Sequence, residues 1–100
     1  MIEVRWTEQA VDGLVAIRDF VGRESPAYAI AVVTRLYNAA WQLARFPDSG
    51  RMVPEHGRTE IRELIRPPYR IVYRRRPEIV EILLVFRSSL PLPEIPDDRR

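Results

Sequence analysis

The chain contains no cysteine and only one histidine, His56. Without thiols there can be neither a disulfide framework nor a thiolate metal site, and one imidazole does not make a histidine-based zinc centre. Phosphate loops, dinucleotide fingerprints and nucleophile elbows are also missing, so no cofactor and no metal is expected. No apolar stretch approaches the roughly 20 residues that span a bilayer. The opening Met1-Ile2-Glu3-Val4-Arg5 also lacks the basic start and apolar run of a secretory signal. These absences predict a cytoplasmic protein with no membrane partner. Lysine is absent too: all 16 basic side chains are arginine, whose planar fork suits a carboxylate or a phosphate.

What the chain does contain is enough for one core. Its 100 residues are 46% hydrophobic and 30% charged, the balance of a folded globular domain rather than of a disordered segment. The net charge of +2 hides a gradient along the chain. Residues 1–50 carry five arginines and six acids, a balance of −1, whereas residues 51–87 carry nine arginines and five acids, a balance of +4. The positive charge is therefore local, and an acidic protein segment or a nucleic acid would suit it.

Periodicity orders the elements. Ile2 to Trp6 alternates apolar and charged residues as a half-buried strand does. Thr7 then stands as a helix N-cap, and Ala10, Leu14, Ile17 and Val21 share one helical face that ends near Gly22. Ser25-Pro26 starts a second helix, with Ala29, Val33, Leu36, Ala40 and Leu43 on one stripe and Ile30, Tyr37, Trp41 and Ala44 on another. That helix is expected to run to about Phe46, where Pro47 stops it. The short connection makes the two helices an antiparallel hairpin. After a turn-rich stretch from Pro47 to Gly57, in which Gly50 is assigned a positive φ, come three strands: Glu60–Ile65, Tyr69–Arg74 and Ile79–Phe86.

The predicted fold is α+β, in the order β-α-α-β-β-β, with the helix hairpin on one face of a small antiparallel sheet and the other face open. Residues 1–90 form the single domain, and the proline-rich stretch 91–100 is expected to be a flexible tail.

Several pieces of this chain, in this order and spacing, resemble the RelE/ParE toxin superfamily. They are Trp6-Thr7 leading into Ala10 and Leu14, Arg35, Phe46 through Arg51 with Pro54-Glu55, Glu60 through Leu64, and Tyr69 through Arg74. The resemblance implies a toxin of a type II toxin–antitoxin, or plasmid stabilisation, system, bound and neutralised by a cognate antitoxin. Two activities occur in the superfamily: RelE-like members cleave mRNA on the ribosome, and ParE-like members poison DNA gyrase.

Departures from the nuclease pattern favour the second branch. Glu63 falls where RelE-like nucleases tend to carry a lysine, and a carboxylate there would repel phosphate. Phe86-Arg87-Ser88-Ser89 ends the last strand with no tyrosine after Tyr73, so the nucleases' acid–base group is missing. The ParE-like branch often has histidine where Arg87 stands, which is a departure from that branch as well. The reading is a DNA gyrase inhibitor, a binding poison rather than an enzyme. The alternatives are a ribosome-dependent mRNA endoribonuclease and an inactive orphan that only binds an antitoxin. A homodimer or a toxin–antitoxin hetero-oligomer would each fit.

Among single residues, Arg62, Arg70, Arg74 and Arg87 are the candidate active surface, with Arg70 foremost and Arg87 expected near it. No residue is assigned a catalytic role. Arg74-Arg75-Arg76 also reads as a solvated hairpin tip, and Arg87 as the partner of a nearby glutamate. Trp6, Tyr37 and Trp41 read as core, with Tyr37 and Trp41 the candidates for an antitoxin-binding groove. His56 reads as a loop residue.

Overall fold

A computed structural model of the protein describes residues 1–95. Strand β1 (Glu3–Trp6) leads through Thr7 into helix α1 (Glu8–Gly22), and Ser25 opens helix α2 (Pro26–Trp41). Both caps form as their hydroxyls predict: Thr7 Oγ1 accepts from the Ala10 N–H at 3.2 Å and Ser25 Oγ from the Tyr28 N–H at 3.1 Å. Strands β2 (Arg51–Met52), β3 (Ile61–Arg66), β4 (Tyr69–Arg75) and β5 (Ile79–Arg87) follow. Residues 91–95 carry no helix or strand, and the rest of the expected tail, 96–100, lies outside the described residues.

The five strands form one sheet in the order β1-β5-β4-β3-β2. Consecutive strands from β2 to β5 pair antiparallel, as short connections require, but β1 runs parallel to β5, with Val4 opposite Val80 and Trp6 opposite Ile82. The sheet is thus mixed rather than purely antiparallel. The helix hairpin between β1 and β2 acts as a long crossover, carrying the chain from one edge of the sheet to the other. The Thr7 side chain ties the start of this crossover to the sheet, its hydroxyl donating to the Ile82 carbonyl at 2.7 Å.

Helix α2 ends earlier than its periodicity implies. It tightens after Trp41 into a 3₁₀ turn, Gln42–Ala44, whose Ala44 carbonyl accepts from the Ile2 N–H at 2.9 Å. The face it buries is also rotated from expectation. Val32 and Ala39 join Ala29, Leu36 and Ala40 inside, whereas Ile30, Tyr37 and Trp41 lie exposed. Trp6 is only partly buried; it stacks on Tyr37 at 5.7 Å, and Tyr37 meets Trp41 edge-on at 6.2 Å. The three aromatics make a surface ladder instead of core.

The main core lies between the helices and the sheet, with Ala10, Leu14, Ile17 and Leu36 facing Leu64, Ile71, Tyr73, Val80 and Ile82. A second core occupies the far face of the sheet, where an open surface was expected. Val53, Ile61, Val72, Leu83, Leu84 and Phe86 pack there, with Leu92 and Ile95 against them. The near-continuous burial of β4 and β5 follows from cover on both faces.

Candidate functional site

Strand alternation sends Arg70 and Arg74 to the far face, and Arg62 and Arg87 to the helix side. The four candidate arginines therefore do not form one surface. Arg87 is opposite Tyr69, and Arg70 opposite Phe86, so the two are neighbours in register but point to opposite sides of the sheet.

Arg70 is buried at the centre of a charge network. Its Nε donates to Glu63 Oε1 at 2.6 Å, while Nη1 and Nη2 grip Glu55 at 2.9 and 3.0 Å. The guanidinium also lies 5.3 Å from the Phe86 ring centroid. The Glu63 side chain is wholly buried and uses its other oxygen to hold Arg51 Nε at 2.7 Å. The Glu63 carboxylate is thus the anchor of Arg70. The resulting chain, Glu55–Arg70–Glu63–Arg51, links the 53–57 turn, β4, β3 and β2. Its electrostatics are mutual: the Arg70 hydrogen bonds pull the Glu55 carboxyl down from 4.5 to about 2, and Glu55, then Glu63, raise the proton affinity of Arg70.

The remaining basic candidates are also engaged. Arg74 and Arg76 both approach Glu81 Oε1, at 3.5 and 2.9 Å, and Arg75 Nε reaches Asp48 Oδ1 at 2.9 Å. The run Arg74-Arg75-Arg76 is therefore ion-paired, and Arg74 is buried, rather than a solvated tip. Arg62 Nη1 donates to the Gly50 carbonyl at 2.9 Å, while its Nε is buried with no hydrogen-bond partner among the described residues.

Gly50 has no positive φ; among the described glycines that belongs to Gly57, at 75°. Gly50 is required for space instead, because a Cβ there would stand 2.6 Å from both the Glu63 carbonyl and the Tyr73 hydroxyl. That hydroxyl is the post of the 47–50 turn: it donates to the Pro47 carbonyl at 2.8 Å and accepts from the Gly50 N–H at 3.0 Å. Burial pushes the Tyr73 hydroxyl above its ordinary value of 10.0.

Arg87 has a different setting. It is partly exposed, with no salt bridge to a carboxylate among the described residues, and its guanidinium faces the rings of Phe20 at 5.9 Å and Tyr69 at 6.0 Å. The glutamate partner expected for it is replaced by aromatic contact. His56 lies in the Val53–Gly57 turn with its Nδ1 buried and unpartnered among the described residues. No group of three or more His, Cys, Asp or Glu that could hold a metal ion occurs among the described residues, and no described helix is long and apolar enough to cross a membrane.

Sequence reasoning missed the roles of Glu55 and Phe20. The Glu63–Arg70 pair was in reach: a hairpin closing on Pro67-Pro68 sets Ile65 opposite Arg70, which puts Glu63 on the same face one diagonal step away. Nothing local predicts that Glu55, in an irregular loop, folds over onto that face.

Comparison with known proteins agrees with this geometry. The chain is 38% identical over 90 residues to a protein named toxin RelE2 from Caulobacter vibrioides, a match covering 89% of this chain and 98% of the relative. Among solved structures it resembles a chain of a chromosomal ParDE toxin–antitoxin system from P. aeruginosa, with TM-score 0.71 and 26% identity over 87% of this chain and 96% of that one. A chain of the RelBE2 toxin–antitoxin complex of Mycobacterium tuberculosis shares the fold, with TM-score 0.61 and 22% identity over 86% and 96%. Residues 4–89, spanning β1 through β5, match the family described as the ParE toxin of the type II toxin–antitoxin system parDE, and the chain belongs to that family within the RelE/ParE superfamily.

Proposed function

We propose that this toxin acts in the cytoplasm by poisoning DNA gyrase through protein–protein contact, and that a cognate antitoxin binds it and holds it silent. The observation that carries the first part is the occupancy of Arg70. A nuclease of this superfamily needs an arginine fork open to the scissile phosphate, yet all three Arg70 nitrogens are within hydrogen-bond reach of Glu55 or Glu63. The last tyrosine, Tyr73, spends its hydroxyl on the Pro47–Gly50 turn and so is no general acid or base. With the Arg70 fork occupied by Glu55 and Glu63 and the Tyr73 hydroxyl committed to the 47–50 turn, binding is the better-supported activity. The antitoxin part rests on the family and on the ParDE and RelBE2 neighbours, both from toxin–antitoxin systems.

The test is a supercoiling assay with purified gyrase and antitoxin-free protein. Loss of supercoiling with trapped cleaved DNA is expected. Unchanged gyrase, together with translation-coupled mRNA cleavage, would instead favour the endoribonuclease reading, which the name of the RelE2 relative supports. Inactivity in both assays would leave a member that only binds its antitoxin.

A further inference from the structure

On the outer side of α2, Ile30, Thr34, Tyr37 and Trp41 recur at helical spacing and so share one face, pointing away from the core that Leu36 and Ala40 fill. Ile30, Tyr37 and Trp41 are 65%, 42% and 45% exposed, a run of large apolar side chains left in water. Trp6 of β1 stacks on Tyr37, and Trp41 meets Tyr37 edge-on, so the rings are held in place before any partner arrives. They stand as a ridge along the outside of the helix.

Charge along this helix is of one sign. Residues 26–47 contain two arginines, Arg35 and Arg45, and no carboxylate, in a chain with 14 acidic residues. Arg45 follows Trp41 by about one turn and Arg35 lies on the shoulder of α2. Both are exposed, and neither forms a salt bridge among the described residues. The carboxylates nearest in sequence are Glu24, before the opposite end of α2, and Asp48, which Arg75 holds. Glu3, on the strand that carries Trp6, is held by Arg5. The ridge therefore joins aromatic anchors, the side chains that dominate binding energy at interfaces, to positive charge that the helix itself does not offset.

These features select the occupant. A second copy docked here about a two-fold axis would bring Arg35 and Arg45 of both helices together with no acid from residues 26–47 to meet them, which is unfavourable. A segment that folds on binding needs a trough to lie in, whereas a ridge needs a folded partner that already has a cleft. We infer that the outer face of α2 is the surface with which the toxin grips its protein target, Tyr37 and Trp41 entering an apolar cleft and Arg35 and Arg45 meeting carboxylates at its rim. The inference rests on the reading of the chain as a gyrase poison and adds to it the face that makes the contact.

The test measures inhibition of gyrase supercoiling by the antitoxin-free full chain and its variants, with antitoxin binding followed in parallel by titration calorimetry. Tyr37→Ala and Trp41→Ala should each raise the half-inhibitory concentration about tenfold or more. The double reversal Arg35→Glu with Arg45→Glu should raise it at least as far, since it sets like charges against an acidic rim. Arg58→Gln, which loses only the exposed pair with Glu60, should stay within about twofold of the parent chain. All of these variants should retain antitoxin binding. Circular dichroism establishes that each is folded, and the arginine reversal, at two exposed positions, keeps the test intact if a ring variant is not. Undiminished inhibition by the ring and arginine variants would overturn the inference while leaving the gyrase reading standing. A parent chain without effect on gyrase would overturn both. Variants that lose antitoxin binding and keep gyrase inhibition would assign the face to the antitoxin and likewise overturn the inference.

Discussion

The guanidinium of Arg70 and the carboxylate of Glu55 lie side by side, Nη1 to Oε2 at 2.9 Å and Nη2 to Oε1 at 3.0 Å. This two-point contact fastens the 53–57 turn to the far face of the sheet. It also holds the Glu55 carboxyl at about 2 rather than its ordinary 4.5. A depressed folded-state value contributes stability that is present above the unfolded value and disappears as pH falls from 4.5 toward 2. Because the Glu55 side chain is 47% exposed, solvent screening limits that contribution to about 1 kcal/mol or less. Urea melts across this acidic window should show the parent chain losing more stability than Glu55→Gln, which has no group to titrate there. Parallel losses would assign acid sensitivity to other carboxylates.

Glu63 is the costlier partner to remove. Glu63→Gln leaves Arg70, and the Nε of Arg51, without their shared anion inside the protein, and should destabilise the fold by about 3 kcal/mol. Replacing both members of the central pair, Glu63→Met with Arg70→Met, removes the stranded charge and should recover part of that loss. Chemical denaturation of the two singles and the double measures the coupling directly. Additive losses would mean that the pair is not coupled and that the network holds the strands in some other way.

Loss of the Tyr73 hydroxyl frees two backbone groups at once, one buried and one part-buried. Tyr73→Phe should cost about 1–3 kcal/mol, since the Pro47 carbonyl and the Gly50 N–H lose their partner. The parent chain should also have an alkaline limit that the variant lacks. A raised folded-state value means full stability below 10.0, lost as pH climbs through that higher value. Identical alkaline unfolding in both proteins would put the limit elsewhere.

Two glycines separate space from backbone conformation. Gly50→Ala should destabilise by about 1–3 kcal/mol through collision with the Glu63 carbonyl and the Tyr73 hydroxyl. Gly57→Ala meets nothing within 4 Å but must adopt φ 75°, a cost of about 1 kcal/mol. Thermal melts of the two variants, alone and on the Tyr73→Phe background, distinguish the causes. Removing the hydroxyl should relieve part of the Gly50→Ala penalty and none of that at Gly57.

Apart from the two-residue β2, which falls inside the stretch read as turns, the strands and helices and their order were readable from local pattern because caps, prolines and periodicity act over a few residues. Thr7 and Ser25 cap the helices as their chemistry dictates, and the last three strands lie within one or two residues of their expected bounds. What was not readable depends on distant pairing. The parallel partnership of β1 with β5, the cover over the far face, and the outward turn of Tyr37 and Trp41 each follow from how the crossover hairpin and the 53–57 turn lie on the sheet. The same limit explains the arginines. Alternation decides which face Arg62, Arg70, Arg74 and Arg87 take once the register is known, but the partner that neutralises Arg70 comes from a loop whose path no periodicity describes.

The seating of β1 against β5 has a consequence for how the protein is made. Glu3 is opposite Ile79 and Trp6 opposite Ile82, so β1 has no strand partner until β5 has been synthesised. A hydrogen-bonded pair this distant in sequence closes late in folding. A chain interrupted during translation before Ile79 therefore lacks both the ladder that anchors β1 and the floor on which α1 rests.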